Sequence, residues 1–280
     1  MPLSSLNGSQ SVDRALLLLA MIGRHAGRGV SLSVLVEESG LNKPTVRRLL
    51  LALIRASLVE QDEETRRYYL GEEAYVLGTL ASQRFGLLEL CLDSLAALSR
   101  KTQDTSFLSV RRGTSAVCVY REEGTYPVRT HALQVGFEHP LGVGAGSLAF
   151  LAALPDAEVE EVLAANEAIL LSRYAALPPD HIRRDVAETR ANGYSLNPGL
   201  IVANSWGIGV AIRHPDGRPA GALSIAAIDS RMQPGRQEEL AGYLKQEAAK
   251  VEEKLAGMFA ARKGQDDRPA TRSQARRHVR

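Results

Sequence analysis

Between Lys43 and Arg55 the chain carries Lys43, Thr45, Arg47, Arg48 and Arg55, and no acidic residue falls between the first and the last. Val46, Leu49, Leu50 and Leu53 recur among them at helical spacing, so one side of a helix is apolar and the other basic. Guanidinium and ammonium groups donate to phosphate oxygens and to the major-groove acceptors of guanine, so the chemistry on offer is contact with a nucleic acid. A solvated basic face on a structural helix is the plainer reading, and an Arg-Arg pair alone favours it. Arg66 and Arg67 form a second basic pair nearby.

The other chemistry-bearing segment is Gly142-Val143-Gly144-Ala145-Gly146. No Lys-Ser/Thr pair follows it, as a P-loop needs, and the dinucleotide pattern lacks its last glycine. It reads as a tight turn from strand to helix, whose opening N–H groups at Ser147 can receive a ligand's anionic end. Asn204 and Ser205 offer polar anchors beside Trp206, the only tryptophan, which is expected in the core. His131, His139, His181 and His214 are read as lacking an i,i+4 ligand partner, so no metal is expected. Cys91 and Cys118 belong to no CxxC or Cys/His cluster, and Cys118 reads as buried and inert in Val117-Cys118-Val119. No nucleophile motif such as GxSxG occurs, so no catalytic residue and no cofactor are nominated.

The elements around these residues decide between the readings. A first helix is expected from Ser11, with Val12, Ala15, Leu16, Leu19 and Ile22 as its stripe, ending at Gly27 and Gly29. Ser31 caps a short second helix, which Gly40 stops. Asn42 caps a third, with Pro44 in the first turn where its missing N–H costs nothing. Val46 and Leu49 fall six and nine residues after Gly40, where the third helix must pack on the second. A hairpin follows, Leu58–Glu60 and Arg66–Leu70, with its turn in the acidic stretch. Together they make a winged helix-turn-helix, which sets Lys43, Pro44, Thr45, Arg47 and Arg48 at the base edges and Arg66 and Arg67 on the wing.

Residues 72–102 read as one long linker helix, weakened at Gly78 and Gly86. Beyond it, strands are expected at Thr105–Arg111, Ala116–Arg121, Val128–His131, Gly207–Arg213 and Ala220–Ala227. Helices are expected at Ser147–Ala153, Asp156–Leu171, Asp180–Gly193 and Pro234–Phe259. No βαβ fingerprint occurs, so the fold class is α+β with an antiparallel-rich sheet. The divisions are a frayed N-terminus 1–10, a DNA-binding domain 11–71, the linker 72–102, a second domain 103–260 and a tail 261–280.

Composition supports that division. The chain has 280 residues, 45% of them apolar, enough for two cores. No apolar run reaches the roughly 20 residues of a membrane span, and no signal peptide opens the chain, so the cytoplasm is the expectation. Net charge is +2, and residues 1–75 hold nine basic and nine acidic side chains, so the nucleic-acid signal is local. Residues 262–280 carry seven Lys/Arg against two Asp, a solvated basic tail able to add phosphate attraction.

Ser11-Val12-Asp13-Arg14-Ala15, the stretch Ser39 to Leu50 and Arg67-Tyr68-Tyr69-Leu70-Gly71 resemble the IclR family of bacterial regulators. So do Pro140 to Ala153, Gly193 to Gly199 and Gly217 to Ile228, and the likeness spans roughly residues 11–260. The resemblance implies a GAF-like second domain, a dimer or dimer of dimers on double-stranded operator DNA, and a small effector, often an organic acid or aromatic compound. By family position the effector pocket falls at Gly144, Ala145, Gly146, Asn197, Ser205, Gly207, Ser224 and Ala226. Many members have a His-Ala-Thr-Ala run and a Gly-Lys pair where this chain has Gly142 to Ser147, an acidic run where it has Leu196 to Gly199, and a polar residue at Gly207. These departures make the pocket less polar. The resulting expectation is an allosteric, non-enzymatic regulator. Its rivals are a metabolite-converting enzyme with a winged-helix interaction module, and a DNA-binding module whose second domain only dimerises.

Overall fold

A computed structural model describes residues 10–25, 27–129 and 133–266, with the backbone alone for 83–85 and 261–266. The expected N-terminal fraying and most of the basic tail therefore lie outside the described residues.

Three helices open the chain: α1 (Gln10–Arg24), α2 (Leu32–Ser39) and α3 (Lys43–Arg55). Their ends follow from the caps. The Ser31 hydroxyl accepts the N–H of Val34, and Gly40 leaves α2 in the left-handed region at φ 66°, which a side chain rarely adopts. Leu18 and Ile22 of α1, Leu35 of α2, and Val46, Leu49, Leu50 and Leu53 of α3 close one core. The hairpin β1 (Val59–Gln61) and β2 (Tyr68–Leu70) adds Val59 and Tyr68 to it. The first strand is shifted by one residue and the second is shorter than expected: Arg66 and Arg67 sit in the turn, where Arg66 has φ 57°.

The expected single linker helix is two. α4 (Glu72–Phe85) and α5 (Leu87–Thr102) meet at Gly86, whose ψ of 41° leaves the helical region. A Cβ at Gly86 would lie 2.5 Å from the Ser82 carbonyl oxygen, so the break needs glycine. α5 buries Leu87, Cys91, Leu95 and Leu98, whereas Tyr75, Val76, Leu77 and Leu80 of α4 are all exposed.

The rest is one antiparallel sheet in the order β5-β4-β3-β8-β7-β6. Its strands are β3 (Thr105–Arg112), β4 (Ser115–Glu122), β5 (Glu138–Pro140), β6 (Ser195–Pro198), β7 (Ser205–Arg213) and β8 (Pro219–Ile228). Alternation assigns the two faces. Leu108, Ile208, Ile212, Leu223 and Ile225 pack on α5 and on α9 (Pro234–Asp266). The opposite face carries α6 (Ala145–Ala152), with α7 (Asp156–Arg173) and α8 (Pro179–Asn192) outside it. Buried Asp104 takes a two-pronged ion pair from Arg231, at 2.8 and 3.0 Å, which ties the start of α9 to the end of α5. The strand expected over Val128–His131 is absent from Val128 and Arg129, and its last two residues lie outside the described ones. The edge strands β5 and β6, three and four residues long, were not anticipated.

Candidate nucleic-acid interface and effector cavity

The basic helix presents its cations because its caps and core leave it no other orientation. The Asn42 side-chain oxygen accepts the N–H of Thr45 at 2.9 Å, and Pro44 occupies the first turn of α3. With Val46, Leu49, Leu50 and Leu53 turned inward, Lys43, Pro44, Arg47 and Arg48 are exposed and Thr45 is half-buried. The hairpin tip is fixed by Asp62, whose carboxylate accepts from the Thr65 N–H at 2.7 Å and the Thr65 hydroxyl at 2.6 Å. Those bonds hold the Asp62 carboxyl below its ordinary pKa. Lys43, Arg47, Gln61, Thr65 and Arg66 line one open concavity between α3 and the hairpin.

Arg67 differs from its neighbour. Its guanidinium donates to the carbonyls of Arg28 at 3.2 Å and Gly29 at 3.0 Å, in the loop between α1 and α2. The Tyr69 hydroxyl reaches the same Arg28 carbonyl at 3.3 Å. Of the two wing arginines, Arg66 faces the concavity and Arg67 is tied to the helical body.

The second site is a cavity of about 640 Å³, its mouth included, between α6 and the sheet. The size suits a small ligand. All eight residues nominated by family position line it: Gly144, Ala145, Gly146, Asn197, Ser205, Gly207, Ser224 and Ala226. β7 approaches α6 closely because it carries glycines there. A Cβ at Gly209 would sit 2.8 Å from the Ala145 carbonyl oxygen, and one at Gly207 would sit 3.1 Å from the Ala145 methyl.

The polar groups of this cavity are neutral. Ser109, Asn197, Ser205 and Ser224 are 5%, 6%, 7% and 5% exposed, and no side-chain hydrogen bond to the protein occupies any of them. Their polar atoms open on the cavity, where water can satisfy them and the polar groups of a bound molecule can take its place. α6 begins at Gly144 with no side-chain cap, which leaves its first N–H groups open on the same space. Ser147 is spent internally: its hydroxyl accepts from the Gly142 N–H and donates to the Pro140 carbonyl, both at 3.1 Å. No Asp, Glu, Lys or Arg is among the described lining residues.

Sequence reasoning missed Phe107, Ser109 and His139 as lining residues. The alternation of β3 carried the first two, because Phe107 and Ser109 share a face opposite Leu108. Nothing local marked His139, which β5 brings alongside Ala116. Trp206, expected in the core, is half-buried in the cavity wall. Asn204, read as a polar anchor, is exposed at φ 63° and does not line the cavity. His181 does have an i,i+4 partner, Asp185 at 3.4 Å, which makes a surface pair. Among the described residues no group of three or more metal-ligating side chains occurs. Cys118 lies in the cavity wall, and burial pushes its thiol up to about 12. None of the described helices is long and apolar enough to cross a membrane.

A winged helix-turn-helix followed by a GAF-like domain with a ligand-sized cavity defines a ligand-responsive DNA-binding transcription regulator. The IclR helix-turn-helix model matches residues 11–63, and the model of the bacterial transcriptional regulator IclR C-terminal region matches residues 79–253. The chain belongs to the IclR family. It is 26% identical over 251 residues to the transcriptional repressor IclR of Escherichia coli, covering 89% of this chain and 91% of that protein. A crystal structure of a regulator from Silicibacter sp. TM1040 superposes with a TM-score of 0.72 at 29% identity, covering 88% of this chain and 96% of that one. The fold is shared with an IclR homologue of Microbacterium hydrocarbonoxydans complexed with 4-hydroxybenzoate, at TM-score 0.72, 22% identity and coverage of 88% and 99%.

Proposed function

We propose that Lys43, Pro44, Thr45, Arg47 and Arg48 meet the operator in the major groove, with Arg66 and Arg67 on the wing beside it. We propose also that Gly144, Ala145, Gly146, Asn197, Ser205, Gly207, Ser224 and Ala226 hold a small organic acid or aromatic effector. The observation that carries the second reading is the set of four buried, unpartnered side chains Ser109, Asn197, Ser205 and Ser224 beside the uncapped start of α6. Neutral donors and a helix N-terminus stabilise a single negative charge without a cation. The aromatic complex of the Microbacterium homologue is consistent with such an occupant.

The protein acts as a homodimer or dimer of dimers in the cytoplasm. Val12 and Leu16 on α1 and Tyr75, Leu77 and Leu80 on α4 are between 49% and 75% exposed, an apolar surface that a second copy of the same chain covers. Residues 11–71 form the DNA-binding domain, 72–102 the linker and 103–260 the effector domain, with a basic tail after 260. The chain senses its ligand and does not turn it over. Among the described lining residues, His139 alone has groups able to move a proton near neutrality.

A salt titration of fluorescence anisotropy tests the reading, using the DNA upstream of the chain's own gene and a scrambled duplex. Specific binding that weakens steeply with salt, and shifts when a metabolite extract is added, is expected. Equal weak binding to both duplexes sinks the operator assignment. Depletion of a metabolite by the protein alone favours the enzyme.

A further inference from the structure

Among the described residues of the cavity wall, His139 has its ring oriented by another side chain. Its Nδ1 lies 3.0 Å from the Tyr174 hydroxyl, with the two rings edge to face at 6.0 Å. Tyr174 comes from the end of α7 and does not line the cavity. With Nδ1 committed to the tyrosine hydroxyl, which can donate to it or accept from it, Nε2 is the nitrogen left for the cavity, as donor or acceptor. Burial lowers the His139 pKa and favours the neutral ring.

His139 and the unpartnered serines stand at different places across the sheet. The strand order puts β5, with His139, two steps from β3, with Ser109, and three steps from β8, with Ser224. At about 4.8 Å per step these are roughly 10 and 14 Å across the sheet, and the register adds two residues along the strands to Ser109 and four to Ser224, which makes the backbone separations roughly 12 and 19 Å. The hydroxyls of Ser109 and Ser224 converge on Gly146, whose Cβ position is 3.5 and 3.1 Å from them, and so make one polar end. Subtracting two hydrogen bonds of about 2.8 Å from the shorter separation leaves roughly 6 Å between the polar ends of a bound molecule, the span of one benzene ring with its substituents. Phe107, Ala116 and Cys118 line the interval with apolar surface.

We propose that the effector is ditopic: its carboxylate or carbonyl end rests among Ser109, Ser224 and the start of α6, and a hydroxyl one ring-length away hydrogen-bonds Nε2 of His139. The proposal rests on the reading of this cavity as the effector site and adds to it the second polar end and the residue that selects it. Tyr174 is a positioning residue, acting through the histidine.

Trp206 is the only tryptophan and lies in the wall, so its fluorescence reports occupancy. Full-length protein is titrated with phenylacetate and 4-hydroxyphenylacetate, and with 3-phenylpropionate and its 4-hydroxy counterpart. In at least one pair the hydroxylated acid is expected to bind about tenfold more tightly, the worth of one well-made buried hydrogen bond. His139→Phe should bring that ratio to about one, with cooperative melting as the folding check. If that variant melts without cooperativity, Tyr174→Phe, outside the cavity, should lower the ratio by freeing the ring. Equal binding within both pairs overturns the proposal, and so does a preference that survives the substitution. If no acid binds while a metabolite extract still shifts operator binding, this proposal fails and the regulator reading stands. If the extract also has no effect, the regulator reading fails with it.

Discussion

The Arg67 guanidinium lies 3.0 Å from the carbonyl oxygen of Gly29, clasping the hairpin to the loop between α1 and α2. The Tyr69 ring packs where a Gly29 side chain would stand, since a Cβ there would come within 2.4 Å of it. The wing is thereby held on the helical body from behind, while Arg66 is turned toward α3. Two adjacent arginines thus carry different tasks.

Their substitutions should separate. Arg67→Ala removes two hydrogen bonds at an exposed site and should destabilise the protein by about 1 kcal/mol, weakening all DNA binding with little change in its salt slope. Arg66→Ala should leave the melting temperature in place and lower the slope of log K against log salt by about one, the signature of one lost phosphate contact. Matching slopes for the two variants would remove the distinction.

Arg47 tests base reading. If it donates to a base edge, Arg47→Ala should cost about 1–3 kcal/mol on the operator and relax preference at one base pair. An unchanged affinity in the anisotropy titration would strike it from the interface.

The clasp and the charge split were not legible in the sequence, where Arg66 and Arg67 are equivalent neighbours. The helical unit was legible, because each helix end is set by a local residue: Ser31, Gly40, Asn42 and Pro44 act within one turn. The cavity divides the same way. Its glycine-rich turn and the strand faces at Gly207 and Ser224 follow from motif and alternation. His139 joins them through a three-residue edge strand too short to carry a periodic signal, and its partner Tyr174 is 35 residues away in sequence. The Gly86 break was half visible: glycine weakens a helix anywhere, but only the approach of the Ser82 carbonyl turns weakness into a stop.

Filling the cavity should uncouple sensing from DNA contact. Ser224→Phe places an aromatic ring against Gly146, whose Cβ position is 3.1 Å from the Ser224 hydroxyl oxygen. Operator affinity should persist while response to metabolite extract disappears. A retained response in the same titration would place the effector elsewhere. Gly209→Ala should instead destabilise by about 1–3 kcal/mol, because its methyl meets backbone that has no rotamer to yield.

The thiols offer a chemical probe. Burial pushes both Cys91 and Cys118 up to about 12, so neither forms thiolate appreciably at pH 8 in the folded chain. Reaction with a thiol-specific disulfide reagent should be slow in native buffer and complete in denaturant for both. Rapid native labelling of one cysteine would mean that its wall opens.

α4 has a bearing on how the protein is supplied in the cell. From Glu72 to Ser82 none of its residues is buried within the protomer. A helix of this length is marginal in water without a surface to lean on, since nucleation is costly and packing supplies most of the stability. Its order is then conditional on association and, by mass action, on abundance. Newly made or dilute chains would expose a cleavable strip between two folded bodies, whereas assembled ones would hide it. Surplus unassembled regulator would be degraded preferentially, and the level of active protein would rise more steeply than the level of chain synthesised.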